Sequence, residues 1–188
     1  VETEGPDPDE LEWRVSANHI LVGGEMIALA ADSGKRLWTA PCHEGFNFPV
    51  DVFVIDGKVF SGELAWGKMP GITKVYDLKT GKVVWKTSGL GLNCIPTPVT
   101  DGEIAYVMSG YREAAGMAIR YKGAKGDITG TERIVWTLDQ GLSYVPSPLL
   151  SDGKLYFLER FKGMLNSYHL KSGKEQYTKQ RLEGIGNI

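Results

Sequence analysis

DLKTGKVVW, residues 77–85, decides how this chain is read. Asp77 and Thr80 favour a turn, Gly81 can take positive φ at low cost, and Lys82 to Trp85 leave the turn as an extended run. The same arrangement returns as ADSGKRLW at 31–38 and HLKSGKEQY at 169–177. Each copy places an aromatic four residues after the turn glycine: Gly34 and Trp38, Gly81 and Trp85, Gly173 and Tyr177. GDITGTERIVW at 126–136 is a longer relative, with Trp136 in the same role after an expanded turn. Spacings of 47, 51 and 41 residues separate the four aromatics. Self-similarity at such a period marks a repeat architecture.

A second marker lies between the first ones. VFVIDGKVF (52–60), TPVTDGEIAYV (97–107) and SPLLSDGKLYF (147–157) each set Asp-Gly between two apolar runs. Asp56-Gly57, Asp101-Gly102 and Asp152-Gly153 are thus hairpin turns, whose two central residues can take positive φ. The turn glycines are 45 and 51 residues apart, so two independent markers share one period.

Each period reads as four antiparallel strands. The expected strands of the last are Tyr144–Leu150, Lys154–Leu158, Leu165–Leu170 and Lys174–Lys179. The one before has Ile95–Thr100, Glu103–Ser109, Gly116–Tyr121 and Arg133–Leu138; the earlier one has Pro49–Ile55, Lys58–Gly62, Thr73–Leu78 and Val83–Thr87. An incomplete first unit carries His19–Gly23, Met26–Ala31 and Arg36–Thr39. A four-stranded unit that cannot bury both its faces alone is a β-propeller blade. The chain therefore reads as all-β, with about four blades over 11–40, 46–88, 93–139 and 143–182, part of a larger ring, after a disordered lead-in or linker at 1–10. Side chains alternate faces along a strand, so Trp38, Trp85, Trp136 and Tyr177 all point the same way and are expected to wedge between blades.

Composition agrees. Hydrophobic residues are 42% and charged residues 23% of the 188, ordinary for a folded domain. Its 24 glycines are about twice the usual share, as a chain of many short strands requires. A net charge of −2 gives no basic footprint for nucleic acid. No stretch approaches the roughly 20 apolar residues of a membrane-spanning helix. Cys42 and Cys94 stand too far apart in sequence for a Cys-x-x-Cys pair and read as two unpaired thiols, a single disulfide being the alternative. His19, His43 and His169 occupy unlike repeat contexts and suggest no metal site. Cys42-His43-Glu44 is a loop, since neighbouring side chains on an extended chain point apart.

The apolar strand followed by D-x-x-T/S-G-K, an apolar residue and Trp resembles the pyrroloquinoline-quinone-like repeat. DLKTGKVVW is near its consensus, and the Ser/Thr-Pro segments at 97–106 and 147–156 resemble the first hairpin of its blades. The likeness extends over about 19–188, and residues 42–62 and 96–165 are also similar to large secreted bacterial repeat proteins. One branch of the family implies a quinone- and calcium-dependent alcohol or sugar dehydrogenase, with a vicinal disulfide and converging acidic ligands. Neither feature is found in the sequence, and Asp32, Asp56 and Asp77 sit in turn motifs. The other branch implies a periplasmic lipoprotein that helps assemble outer-membrane proteins, without cofactor.

The expected function is thus a non-catalytic scaffold for protein binding or assembly, periplasmic or secreted, with no cofactor; a quinoprotein oxidoreductase or part of one is the alternative, and a carbohydrate-handling module a third. Departures from a repeat are where partner contacts are grafted. They are Leu64–Gly71 with Trp66 and Met69, Gly110–Ala115 with Tyr111 and Arg112, and the expanded turn Lys122–Glu132. Four blades leave open edges, which invite further blades of a longer protein or pairing with a second copy, unless the four close as a small ring.

Overall fold

The computed structural model describes residues 13–18, 25–41, 49–63, 71–92, 94–159 and 163–183. They form four sheets. The first orders β1 (Trp13–Asn18), β2 (Glu25–Ala30) and β3 (Arg36–Pro41) side by side. The second contains β4 (Pro49–Ile55), β5 (Lys58–Glu63), β6 (Gly71–Asp77) and β7 (Val83–Leu90). The third holds β8 (Val99–Thr100), β9 (Ile104–Ser109), β10 (Ala115–Arg120) and β12 (Ile134–Leu138). Strands β13 (Leu149–Ser151), β14 (Lys154–Leu158), β15 (Met164–His169) and β16 (Glu175–Arg181) make the fourth. Pairing within each series is antiparallel and sequential, so the chain is an all-β stack of propeller blades.

Two first strands are shorter than expected. Ile95–Thr100 contributes only Val99–Thr100, and Tyr144–Leu150 only Leu149 and Leu150. Pro96, Pro98, Pro146 and Pro148 have no N–H to give to a ladder, so pairing begins after the last proline. The expected strand His19–Gly23 and the lead-in at 1–10 lie outside the described residues. Of the three Asp-Gly hairpins, Asp56-Gly57 (φ 49° and 65°) and Asp152-Gly153 (φ 52° and 71°) have both central residues left-handed. At Asp101-Gly102 only Gly102 has positive φ, because the Asp101 carboxylate accepts the N–H of Glu103 at 3.0 Å and of Ile104 at 2.8 Å and shapes a different turn.

Apolar clusters fill the spaces between neighbouring sheets. Met26, Ala40, Val59 and Tyr76 join the first sheet to the second. Phe60, Val75 and Trp85 meet Ala105, Val107, Met117 and Ile119 between the second and third. Ile104, Tyr106 and Met108 meet Leu155, Phe157 and Tyr168 between the third and fourth. Every side chain of β9 is buried because this strand has a sheet on each face. At about 25 cal/mol per Å² of apolar surface, these inter-sheet clusters are the main stabilising term.

The repeat aromatics occupy one register. Trp38 faces Ala28 across β2 and β3, and Trp85 faces Val75, Trp136 faces Ala118 and Tyr177 faces Ser167 across the equivalent strand pairs of the later sheets. At two junctions the indole lies on the turn glycine of the following sheet. A Cβ on Gly81 would stand 2.6 Å from the Trp38 ring, and one on Gly173 would stand 2.6 Å from the Trp136 ring. Both glycines also have positive φ, 68° and 62°, so both turn and contact require glycine. The indole N–H then donates into that sheet, Trp38 to the Leu78 carbonyl at 2.8 Å and Trp136 to the Leu170 carbonyl at 2.7 Å.

The junction between the second and third sheets is built differently. The expanded turn reaches back, and β11 (Gly126–Asp127) pairs parallel to β7, with Gly126 opposite Trp85 and Asp127 opposite Lys86. Ile128 N–H donates to the Lys86 carbonyl at 2.9 Å, Ser88 N–H donates to the Thr129 hydroxyl at 3.1 Å, and Lys86 Nζ lies 3.5 Å from Asp127. Ala124 and Ile128 are buried in the core beside Trp85. Lys122–Glu132, expected as a partner loop, thus spends much of its backbone as an internal strap. Its length is what allows it to cover a neighbouring sheet's edge.

Candidate functional site

An acid–base or metal site would begin at the turn carboxylates. Asp56 accepts the Tyr121 hydroxyl at 2.7 Å, tying the second sheet to the third. Burial first, then this bond to the Asp56 carboxylate, raises the Tyr121 hydroxyl pKa above its ordinary value. Asp77 accepts from both the N–H and the hydroxyl of Thr80. Asp127 does the same with Thr129. Asp101 accepts two backbone N–H groups and the Tyr106 hydroxyl, the last at 3.2 Å. Burial opposes the charge of Asp101, but these bonds together outweigh it and hold its pKa below the usual carboxylate value. Asp77, Asp101 and Asp127 are each committed to holding a turn, and Asp56 to joining two sheets.

A pH dependence follows for Asp101. A carboxyl group with a depressed folded-state pKa contributes stability above its unfolded value, here 3.8, and loses it as pH falls through the folded value. Asp101→Asn is expected to cost about 1 kcal/mol at neutral pH, less than a buried charged hydrogen bond because the group is exposed. Urea midpoints of the two proteins should converge below pH 4 and separate above it. A constant gap across that range would rule the account out.

Among the described residues no group of three or more His, Cys, Asp or Glu converges to hold a metal ion. His169 sits in its turn with Nδ1 3.1 Å from the Ser172 hydroxyl. Cys94 is buried, its Sγ 3.9 Å from the Gly91 carbonyl, and its sequence neighbours are not cysteines. Cys42, His19, His43, Trp66 and Met69 lie outside the described residues.

One end of the stack differs in character. Here the chain leaving β7 crosses to the next sheet beside the β9–β10 connection, and backbones approach without side chains between them. A Cβ on Gly91 would fall 1.9 Å from the Glu113 carbonyl oxygen, and one on Gly110 would fall 2.2 Å from that of Ser143. The Gly91 N–H donates to the buried Ser109 hydroxyl at 2.7 Å, which donates to the Ala115 carbonyl at 3.3 Å. Leu92 and Tyr111 form an antiparallel bridge. Arg112 and Glu113 turn the tip in left-handed conformations, φ 37° and 52°.

This scaffold presents a short ridge of rings. Tyr111 and Tyr144 lie 5.3 Å apart at 30°, and the Arg112 guanidinium stands 5.6 Å from the Tyr111 ring centre. Arg112 is exposed, the two tyrosines are half-buried, and Val145 beside them is 54% exposed. Tyr111 and Arg112 are sequence candidates, neighbours in the chain, and the fold brings Tyr144 beside them. Tyr144 and Val145 fall in the expected strand Tyr144–Leu150; its two prolines are the signal against that strand. Tyr and Arg on a rigid, partly apolar surface are the residue types that dominate protein-binding hot spots.

A polar cleft of about 350 Å³ is lined by Gln140, Gly141, Glu159, Asn166, Tyr168, Glu175 and Lys179. Asn166 is fixed on its wall, donating to the Gly141 carbonyl and accepting the Lys179 N–H, both at 2.7 Å. The remaining sequence-selected residues, Gly34, Gly57, Gly102 and Gly153, stand in turns. Among the described residues no helix is long and apolar enough to cross a membrane.

Known folds agree with this architecture. The structure of BamB from Moraxella catarrhalis matches with a TM-score of 0.59 and 17% identity, covering 90% of this chain and 50% of that one. A europium-containing methanol dehydrogenase matches at 0.60 and 12%, over 89% of this chain and 39% of the enzyme. The quinohemoprotein alcohol dehydrogenase of Comamonas testosteroni matches at 0.57 and 14%, over 91% and 35%. The chain spans half or less of the length of each of these proteins. No curated protein sequence matches it significantly. The family described as outer membrane protein assembly factor BamB matches residues 22–183, and the chain belongs to this family of quinone-like propeller repeats.

Proposed function

We propose that the chain is a non-catalytic propeller scaffold that binds protein partners during assembly outside the cytoplasm. The observation that carries this reading is the Tyr111–Arg112–Tyr144 ridge, held by backbone contacts at Gly91 and Gly110. Such a ridge offers a preorganised contact surface that loses little side-chain entropy on binding. Membership of a family described as an outer membrane protein assembly factor supports both the class of partner and the extracytoplasmic location. The quinone- and calcium-dependent alternative has the likeness of fold behind it and no described cluster of metal ligands.

The test immobilises the wild-type chain and a Tyr111→Ala/Arg112→Glu variant and exposes both to envelope proteins of a Gram-negative bacterium. Wild type should retain a defined set of proteins that the variant holds at least about tenfold less well, the size of a hot-spot loss. In parallel, wild type is titrated with pyrroloquinoline quinone and calcium, following tryptophan fluorescence. Equal retention by wild type and variant, or saturable quenching that chelation of calcium abolishes, defeats the scaffold reading.

A further inference from the structure

A tyrosine occupies the same register position in the second and fourth sheets and meets a different fate in each. Tyr76 follows Val75, the residue opposite Trp85, and Tyr168 follows Ser167, the residue opposite Tyr177. Both face the sheet before their own: Tyr76 packs with Met26 and Ala40, Tyr168 with Ile104 and Tyr106. The Tyr76 hydroxyl donates at 3.3 Å to the carbonyl of Pro41, which lies three residues after Trp38. The same step from Trp136 reaches Asp139, but β12 has ended at Leu138 and the chain bends off at Gly141, φ 69°. Tyr168 is only 8% exposed, and no described residue hydrogen-bonds its hydroxyl.

The polar cleft takes the place of the missing acceptor. Asn166 and Tyr168 share one face of β15, and Asn166 bonds the linker between the third and fourth sheets, so the cleft belongs to a junction inside the chain. Its wall is braced. The Tyr168 ring stacks on Phe157 at 5.5 Å and 4°, and Lys179 is held left-handed, φ 56°, where β16 shifts register.

The equivalent positions also differ in charge. Val83 stands opposite Tyr76, whereas Glu175 stands opposite Tyr168. Glu159 and Glu175 share the cleft with a single cation, Lys179, which leaves negative charge in excess. Burial, then the charges of Glu175 and Glu159, raise the Tyr168 hydroxyl pKa, so the hydroxyl stays neutral with lone pairs to offer. Carboxylates and a phenol oxygen together suit a cation rich in N–H donors. About 350 Å³ is at the small end for ligand sites, room for one side chain or one small molecule.

We propose that this cleft binds a guanidinium or alkylammonium group, held by Glu159, Glu175 and the Tyr168 hydroxyl. Two sources carry that chemistry: an arginine or lysine side chain of a bound polypeptide, and a free small amine. Binding here does not depend on the Tyr111 ridge.

The test titrates N-acetyl-arginine amide into the isotope-labelled 188-residue chain, following the Gly141 amide and the Asn166 side chain by NMR. Saturable shifts with a dissociation constant of about 1–10 mM are expected for one charged group. N-acetyl-citrulline amide, similar in shape but uncharged, should bind at least about tenfold less well. Tyr168→Phe keeps the ring stack and removes only the hydroxyl; it and Glu175→Gln should each weaken binding at least about threefold. Lys179→Asn removes the competing cation and suits the left-handed backbone, so it should tighten binding about threefold. Tyr111→Ala/Arg112→Glu should bind the probe as wild type does, which separates this site from the ridge. A Gly-Gly-Arg-Gly-Gly peptide held at least about tenfold more tightly than the capped residue assigns the cleft to a polypeptide; a smaller gain assigns it to a free small cation. No shift up to about 50 mM, equal binding of the citrulline probe, or an affinity unmoved by both Tyr168→Phe and Glu175→Gln overturns the proposal.

Discussion

Trp85→Ala is expected to cost about 3–5 kcal/mol, the range for truncating a fully buried large aromatic. Trp85 is 1% exposed, meets Phe60 edge-on at 5.8 Å, and sits in the cluster joining the second sheet to the third. Its loss opens a cavity at a junction whose neighbours are β-strands, which cannot collapse inward without breaking their ladders. The strap Gly126–Asp127 pairs along β7 at this residue, so its anchorage weakens too. Since folded domains are stable by only about 5–15 kcal/mol, the variant should lose a large part of its stability. Urea unfolding followed by circular dichroism measures this directly. A loss below about 1 kcal/mol would mean that the strap, and not the ring, holds this junction.

The second large effect is expected from one added methyl group. Gly91→Ala places a Cβ 1.9 Å from the Glu113 carbonyl oxygen and 2.7 Å from that of Arg112. Both obstacles are backbone, so no rotamer change relieves the clash, and the β9–β10 tip must move. The cost should be about 3 kcal/mol, the upper end for overpacking that forces backbone shifts. Movement of the tip carries Tyr111 and Arg112 away from Tyr144, so near-ultraviolet circular dichroism should change and partner retention fall with it. Gly57→Ala is the control: it occupies a positive-φ turn with nothing within 4 Å, and should cost about 1 kcal/mol from backbone strain alone. Equal costs at the two positions would refute the close-approach account.

Much of the fold was legible because its determinants are local and repeated. The Gly-Lys-x-x-aromatic turns mark where third strands end and fourth strands begin, and the Asp-Gly turns mark the first hairpins. Alternation then assigns each aromatic to one face. First strands were misjudged where hydrophobicity alone was weighed: Pro96, Pro98, Pro146 and Pro148 remove ladder donors however apolar their neighbours are. The expanded turn was legible as a departure from the repeat, but its parallel pairing with β7 was not, because that depends on a strand about forty residues earlier.

The candidate site was legible only in part. Tyr111 and Arg112 could be singled out as departures from the repeat. Tyr144 could not, because it joins them only when connections from different blades cross at one end of the stack. The glycines that matter most there, Gly91 and Gly110, carry no positive φ and no turn motif. Their necessity comes from carbonyl oxygens supplied by residues distant in sequence.

By itself the sequence determined the all-β repeat, the period of the blades, the turns, and the face on which each repeat aromatic lies. These are short-range consequences of glycine φ, proline chemistry and side-chain alternation. Tertiary structure alone decided which turn glycines Trp38 and Trp136 cover, which loop becomes a strap, and that Tyr144 joins the Tyr111–Arg112 pair. Those outcomes depend on how successive sheets stack, and only stacking brings a carbonyl from one blade against a bare glycine of the next.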